Sequence, residues 1–141
     1  MSELIFEHEM GDVLFESEVV TTLKLWRQDK WQPEAGGILI GFRRPPHLHI
    51  IACTTPMKRD KRSRLGFNRL DPGHMATARQ YWKCTSGQAY YLGDWHTHPE
   101  DNPAPSFIDK LGWRKMKKSN QGPDVMFVIV GRSNWYLQRG C

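Results

Sequence analysis

The sequence predicts a mixed α/β fold: a central mixed β-sheet flanked by helices. Two observations carry that prediction. Short runs rich in apolar, β-branched and aromatic residues ("GGILIGF", "LHIIACT", "QAYYLGDW", "DVMFVIVG") have strand length. Between them lie segments whose apolar residues recur at helical spacing, bounded by capping and stop signals. One sheet covered by helices is the simplest architecture that buries both kinds of segment.

Taken in order, "LIFEHE" (Leu4 to Glu9) alternates apolar and polar residues and reads as a strand. Ser17 is the predicted cap of a helix over "EVVTTLKLWRQDKW", with Val19, Leu23 and Trp26 on one face. "GGILIGF" (Gly36 to Phe42) and "LHIIACT" (Leu48 to Thr54) form a strand pair around Pro45-Pro46. Gly36-Gly37 suggests close backbone packing or a bulge. The basic segment Lys58 to Asn68 lacks apolar periodicity and is predicted to be a loop.

Asp71-Pro72 resembles an N-cap followed by proline at the first helical position. The helix that follows, "GHMATARQYWKC", places Met75, Ala78 and Trp82 on one face, and Gly87 can end it. "QAYYLGDW" (Gln88 to Trp95) is a strand whose C-terminal end leads to His96. Pro99, Pro103 and Pro105 exclude regular structure beyond His98. Ser106 caps a helix over "FIDKLGWRKMKK". "DVMFVIVG" (Asp124 to Gly131) is a buried strand, closed into a hairpin by "NWYLQRG".

A chain of 141 residues without repeats or low-complexity linkers is expected to form one domain, residues 1–141. With 39% apolar and 25% charged residues, its composition excludes a disordered chain. No apolar run approaches the roughly 18 residues that span a bilayer. The acidic start "MSELIFEHEMGD" is unlike the basic start of a signal peptide, so a cytoplasmic protein with no membrane partner is expected. Cys53, Cys84 and Cys141 are odd in number and form no CxxC pair, which points to reduced thiols. Cys53 and Cys84 read as small core residues, and Cys141 has no assignable role. The net charge of +5 and pI near 9.3 come largely from Lys58–Arg69 and Lys110–Lys118. Either a solvated face or an acidic partner explains such charge; no RNA- or DNA-binding motif accompanies it.

The chemistry concentrates in "DWHTHPEDNPAPSFID", Asp94 to Asp109. Residues two apart in a strand point the same way, so His96 and His98 can project together from a strand end. If Ser106 caps a helix, Asp109 lies one turn in, on the same face. Two imidazoles and one carboxylate, with a fourth position left for water, make a catalytic zinc arrangement. Near the helix N-terminus, the Ser106 hydroxyl could donate to an oxyanion as a carbonyl is attacked. A general base is still required. Asp94 and Glu100 are near in sequence, but Glu34, at the mouth of the "GGILIG" strand, is the better placed to face a site at the sheet edge; spacing alone does not prove that choice. His8, His47, His49 and His74 have no partners at ligand spacing and read as surface or strand histidines. Thr97 is expected to point away from the metal, and Trp95 to pack in the core or shield the site.

Glu34, then His96-Thr97-His98, seven residues, Ser106, two residues and Asp109 match the JAMM motif, E-xn-H-[ST]-H-x7-S-x2-D. The sequence therefore resembles JAB/MPN-domain metalloproteases, and "EAGGILIG" and "GDWHTHP" resemble that family's segments around its glutamate and histidines. The resemblance implies a JAB/MPN-like, cytidine deaminase-like three-layer fold. It implies Zn2+ bound by His96, His98 and Asp109, with Glu34 as base toward water and then acid toward the leaving amine. Ser106 would stabilise the tetrahedral intermediate. The family hydrolyses isopeptide or peptide bonds, often at the C-terminal tail of ubiquitin or a ubiquitin-like protein.

In length and in its basic segment the chain is similar to the stand-alone bacterial JAB isopeptidases of CBASS antiphage operons. That likeness implies a protein substrate, a cGAS-like nucleotidyltransferase conjugated through its C-terminus, and a ubiquitin-transfer-like enzyme in the same operon. Two alternatives stand beside it: a peptidase that frees a small sulfur-carrier protein from an adduct, and a non-catalytic MPN scaffold. Arg62, Arg64 and Arg69 are candidates to contact the tail or an acidic face of the substrate, against the plainer reading of a solvated loop.

Overall fold

The computed structural model describes residues 2–116 and 125–139. The elements run β1 (Leu4–Phe6), β2 (Val13–Phe15), α1 (Ser17–Leu25), β3 (Gly36–Arg44), β4 (His47–Cys53), β5 (Lys61–Ser63), β6 (Gly66–Asn68), α2 (Gly73–Cys84), β7 (Ala89–Thr97), α3 (Phe107–Met116), β8 (Met126–Val130) and β9 (Trp135–Arg139). Seven strands form one sheet in the order β1-β2-β4-β3-β7-β8-β9. It is mixed, with parallel pairing of β2 to β4 and β7 to β8 and antiparallel pairing elsewhere.

The apolar runs are continuous because the sheet is covered on both faces. Along β8, Met126, Val128 and Val130 join Val19, Val20 and Leu23 of α1, while Phe127 and Ile129 join Ala78 of α2 and Trp113 of α3. The result is three layers, α1 on one side and α2 with α3 on the other, as expected.

A bulge in the β3–β7 pairing positions the functional end of β7. Leu39 pairs with Gly93 and Ile40 with Tyr91, so Leu92 is the extra residue. Its insertion resets the alternation: Tyr91 packs toward α2 and α3, yet Leu92 and Trp95 both pack toward α1. Without it, Trp95 would share Tyr91's face. With it, His96 comes within 6.4 Å of the Trp113 ring, centroid to centroid. Trp95 is a core residue, 1% exposed, and its indole N–H donates to the Thr54 carbonyl at 2.8 Å. Gly36 and Gly37 are sites of close approach: a Cβ on Gly37 would stand 2.1 Å from the Thr54 carbonyl oxygen.

Several expectations need correction. Ser17 is the first residue of α1, not its cap; Glu16 holds the cap position without a side-chain bond, and the helix stops at Leu25 instead of reaching Trp31. The first strand ends at Phe6, and β2 was not expected. Residues 58–68 contain the β5–β6 hairpin, not a featureless loop. The buried face of α2 carries His74 and Ala78, whereas Trp82 is 50% exposed. Cys84 is exposed and Cys53 half-buried against the α1-side core, so only Cys53 approaches the core role expected of both.

The predicted α2 span agrees with the observed one, but Pro72 holds the cap position and Gly73 is the first helical residue, so Asp71 stands one residue further out, its carboxylate accepting the Gly73 N–H at 2.9 Å. The last two residues of the predicted third helix, Lys117 and Lys118, lie outside the described residues, as do Asp124, Gly140 and Cys141. Among the described residues, no helix is long and apolar enough to cross a membrane.

Candidate metal centre

Three chain segments meet at the end of β7. His96 and His98 project together, their Nε2 atoms 3.2 Å apart. Asp109, in the first turn of α3, reaches both: Oδ1 is 3.3 Å from His96 Nε2 and Oδ2 is 3.1 Å from His98 Nε2. Asp109 is held by a reciprocal cap. Its Oδ2 accepts the Ser106 N–H at 2.8 Å, and Ser106 Oγ accepts the Asp109 N–H at 3.0 Å. Glu34 arrives just before β3, 3% exposed, with Oε2 4.0 Å from His98 Nε2. The structure thus brings all five predicted residues to one place.

The donor geometry fits a tetrahedral ion. Nitrogen and oxygen donors about 2.0–2.2 Å from zinc stand roughly 3.3–3.6 Å from each other; the two Nε2 atoms are 3.2 Å apart, and the Asp109 carboxylate offers one oxygen at 3.3 Å from His96 and the other at 3.1 Å from His98. The outer shell fits as well. His98 Nδ1 lies 2.9 Å from Glu100 Oε1, which assigns the ring proton to Nδ1 and turns the Nε2 lone pair toward the cluster. Glu34, His96 and His98 also form a group of potential metal-holding side chains.

The electrostatics follow from burial and crowding. Burial pushes the Glu34 carboxyl up to about 8, with His98 opposing and Asp109 adding to the rise. For Asp109, burial acts upward but is outweighed by hydrogen bonds from His96 and His98, leaving it far below the usual carboxylate range. Burial would lower His98, but Asp109, Glu34 and Glu100 together raise it.

The other candidate bases are engaged elsewhere. Asp94 takes a two-point ion pair from Arg69, at 2.6 and 3.3 Å, and a hydrogen bond from the Tyr91 hydroxyl. Glu100 is 51% exposed and holds His98 from behind. Thr97 points away from the cluster, as expected: its hydroxyl accepts the Ala35 N–H at 2.9 Å.

An open cleft of about 700 Å³ runs past the cluster between the β5–β6 hairpin and α3. Arg62 and Arg69 line it; Arg64 stacks on Trp31, ring centroid 5.4 Å away. Arg62 Nε donates to the Glu34 carbonyl at 2.7 Å, so this arginine supports the backbone of the carboxylate segment.

Three residues were misread or passed over in the sequence. His74, expected at the surface or in a strand, is fully buried in α2 between Asp60 and Thr54, at 2.7 and 2.5 Å. Asp60 also accepts the N–H groups of Met57, Leu70 and Asp71, fastening both ends of the segment that carries the hairpin. Gln28, 1% exposed, hydrogen-bonds Thr97. No motif marks any of the three.

A model described as prokaryotic homologs of the JAB domain matches residues 16–139. The chain belongs to this family. The JAB match spans Glu34, both histidines, Ser106 and Asp109, and bears out the resemblance read from the motif. Relatives of this JAB chain named CD-NTase/cGAS isopeptidase occur in three bacteria. Those from Vibrio cholerae and Escherichia coli are 36% and 37% identical over 137 residues, 96% of this chain and 86% and 87% of theirs. The one from Pseudomonas aeruginosa is 42% identical over 107 residues, 74% of this chain and 67% of its own. A solution structure of a Desulfitobacterium hafniense protein shares the fold, with TM-score 0.55, 17% identity, and coverage of 87% of this chain and 79% of that one.

Proposed function

We propose that this JAB-domain protein is a zinc-dependent isopeptidase that releases a CD-NTase, a cGAS-like nucleotidyltransferase, from proteins conjugated to its C-terminus in CBASS antiphage defence. One observation carries the reading: two imidazole nitrogens 3.2 Å apart, each with an oxygen of the Asp109 carboxylate at 3.3 or 3.1 Å, and a buried carboxyl 4.0 Å from one of them. His96, His98 and Asp109 would hold the zinc ion, which when bound would supply Lewis-acid activation of water and of the scissile carbonyl. Glu34 accepts the proton of the attacking water and passes it to the leaving amine. Ser106 Oγ accepts the Asp109 N–H, which leaves its own proton to donate to the oxyanion. The substrate tail lies in the cleft between hairpin and α3, with the basic hairpin facing an acidic part of the conjugate.

The names of the relatives favour a CD-NTase over a sulfur-carrier adduct, and a complete set of donors favours an enzyme over a scaffold. A ubiquitin-transfer-like enzyme in the same operon would make the conjugate. The test is cleavage of a CD-NTase joined through its C-terminal carboxyl to a lysine side chain. The expected result is release of the CD-NTase, abolished by a chelator and restored by zinc. Cleavage indifferent to the chelator, or only of a sulfur-carrier adduct, would overturn the corresponding part of the reading.

A further inference from the structure

Gln28 sits in the segment between α1 and Glu34, 1% exposed, and each of its polar groups has a partner. Its Oε1 accepts the Thr97 hydroxyl at 3.0 Å. Its Nε2 donates to the carbonyls of Gln32 at 2.7 Å and Arg64 at 2.8 Å. Burying a primary amide is favourable only when all its bonds are made, and here they join three segments that meet at the candidate centre.

The first link runs to the carboxylate. Thr97 lies between the two histidines; its Oγ accepts the Ala35 N–H and its own N–H donates to the Ala35 carbonyl, both at 2.9 Å. Ala35 adjoins Glu34, so Gln28 and Thr97 together set the carboxylate segment against the histidine strand. The second link runs to the hairpin. Arg64 is in its turn, between β5 and β6. On the hairpin's β5 strand, the Ser63 carbonyl accepts the Glu34 N–H at 2.7 Å and Arg62 Nε donates to the Glu34 carbonyl at 2.7 Å. The Glu34 backbone is therefore clamped from both sides, and one amide is common to both clamps.

We propose that Gln28 is a positioning residue: acting through Thr97 and the hairpin turn, it fixes the Glu34 carboxyl at its station beside the two histidines. This rests on the hydrolytic role assigned to Glu34 above, but one arm of its test does not. A residue that only fills space would change the unfolding temperature and leave turnover per folded, zinc-loaded molecule alone.

The discriminating variants are Gln28→Met, which keeps the volume and removes all three bonds, Thr97→Val, which keeps the shape without the hydroxyl, and Thr97→Ser, which keeps the hydroxyl. Each is assayed below its unfolding temperature, with zinc content measured, on the lysine-linked CD-NTase conjugate. We expect Gln28→Met and Thr97→Val to lower kcat by about 10²-fold. KM should stay within about threefold and zinc content should not change. Thr97→Ser should restore most of the rate, and the double variant should be no slower than the worse single one. In metal-free protein, hydrogen exchange of the Ala35 amide should accelerate about tenfold or more in Gln28→Met. Unchanged kcat in folded, zinc-loaded Gln28→Met, or unchanged Ala35 exchange, would overturn the proposal. Absence of hydrolysis in the unmodified protein would overturn the proposed function instead, with the exchange measurement still deciding on Gln28.

Discussion

Ser106 Oγ accepts the Asp109 N–H at 3.0 Å, and the same side chain borders the cleft. Its structural and chemical parts separate by substitution. Glycine caps a helix nearly as well as serine, within a few tenths of a kcal/mol, but offers no hydroxyl. Ser106→Gly is expected to keep its zinc and its unfolding temperature while kcat falls by about 10²- to 10³-fold; steady-state kinetics beside a thermal melt decides it. His96, His98, Ser106 and Asp109 were legible because the chemistry demands those residue types at those spacings, whereas the choice of Glu34 rested on the resemblance to the JAMM motif. Gln28 and His74 were not, since an amide or imidazole looks the same in a sequence whether solvated or buried in a network. Trp82 and Cys84 misled for the converse reason: spacing defines a helix face but not what covers it.

The β5–β6 hairpin shows the same limit at the level of elements. Its three-residue strands are too short for alternation to register, and most of its residues are charged or polar. It is held by fastening: Asp60 below, Arg69 to Asp94 beside β7, and Arg62 to the Glu34 carbonyl. Burial pushes the Asp60 carboxyl up, but the Asp71 N–H, the His74 ring and the Met57 and Leu70 N–H groups outweigh it, so its pKa is depressed on folding. A depressed carboxyl stabilises the fold above its unfolded pKa of about 3.9, and that stability fades as pH falls through the folded value. Asp60→Asn should therefore cost about 2 kcal/mol or more near pH 7, and the difference from the unmodified protein should shrink below about pH 4. Chemical unfolding at both pH values measures this; a cost that stays constant with pH would refute the account of Asp60. Arg64, unlike Arg62, touches neither Glu34 nor the cleft lining. Arg64→Glu should raise KM for the conjugate by several-fold and leave kcat within about twofold. Unchanged kinetics on the protein conjugate would remove the hairpin's charge from substrate recognition.

Across the molecule, the layered architecture was readable because a sheet covered on both faces leaves uninterrupted apolar runs such as "MFVIV", every residue of which is buried. The bulge in β7 was not, although it decides which face His96 takes; a single extra residue leaves no trace in hydropathy. Glu34 is the sharpest case. It lies far from the histidines in sequence, but β3 pairs with β7 so that Gly36 stands opposite His96, and sheet register closes the gap. The central claim is that three side chains hold zinc while this fourth one works beside it. Zinc content and conjugate cleavage measured together in unmodified protein, Glu34→Ala and His96→Ala test that division most directly. The account predicts about one zinc per chain with cleavage in the first, zinc retained with cleavage reduced by about 10²-fold or more in the second, and zinc largely lost in the third. Undiminished cleavage by Glu34→Ala, or full zinc occupancy in His96→Ala, would contradict it.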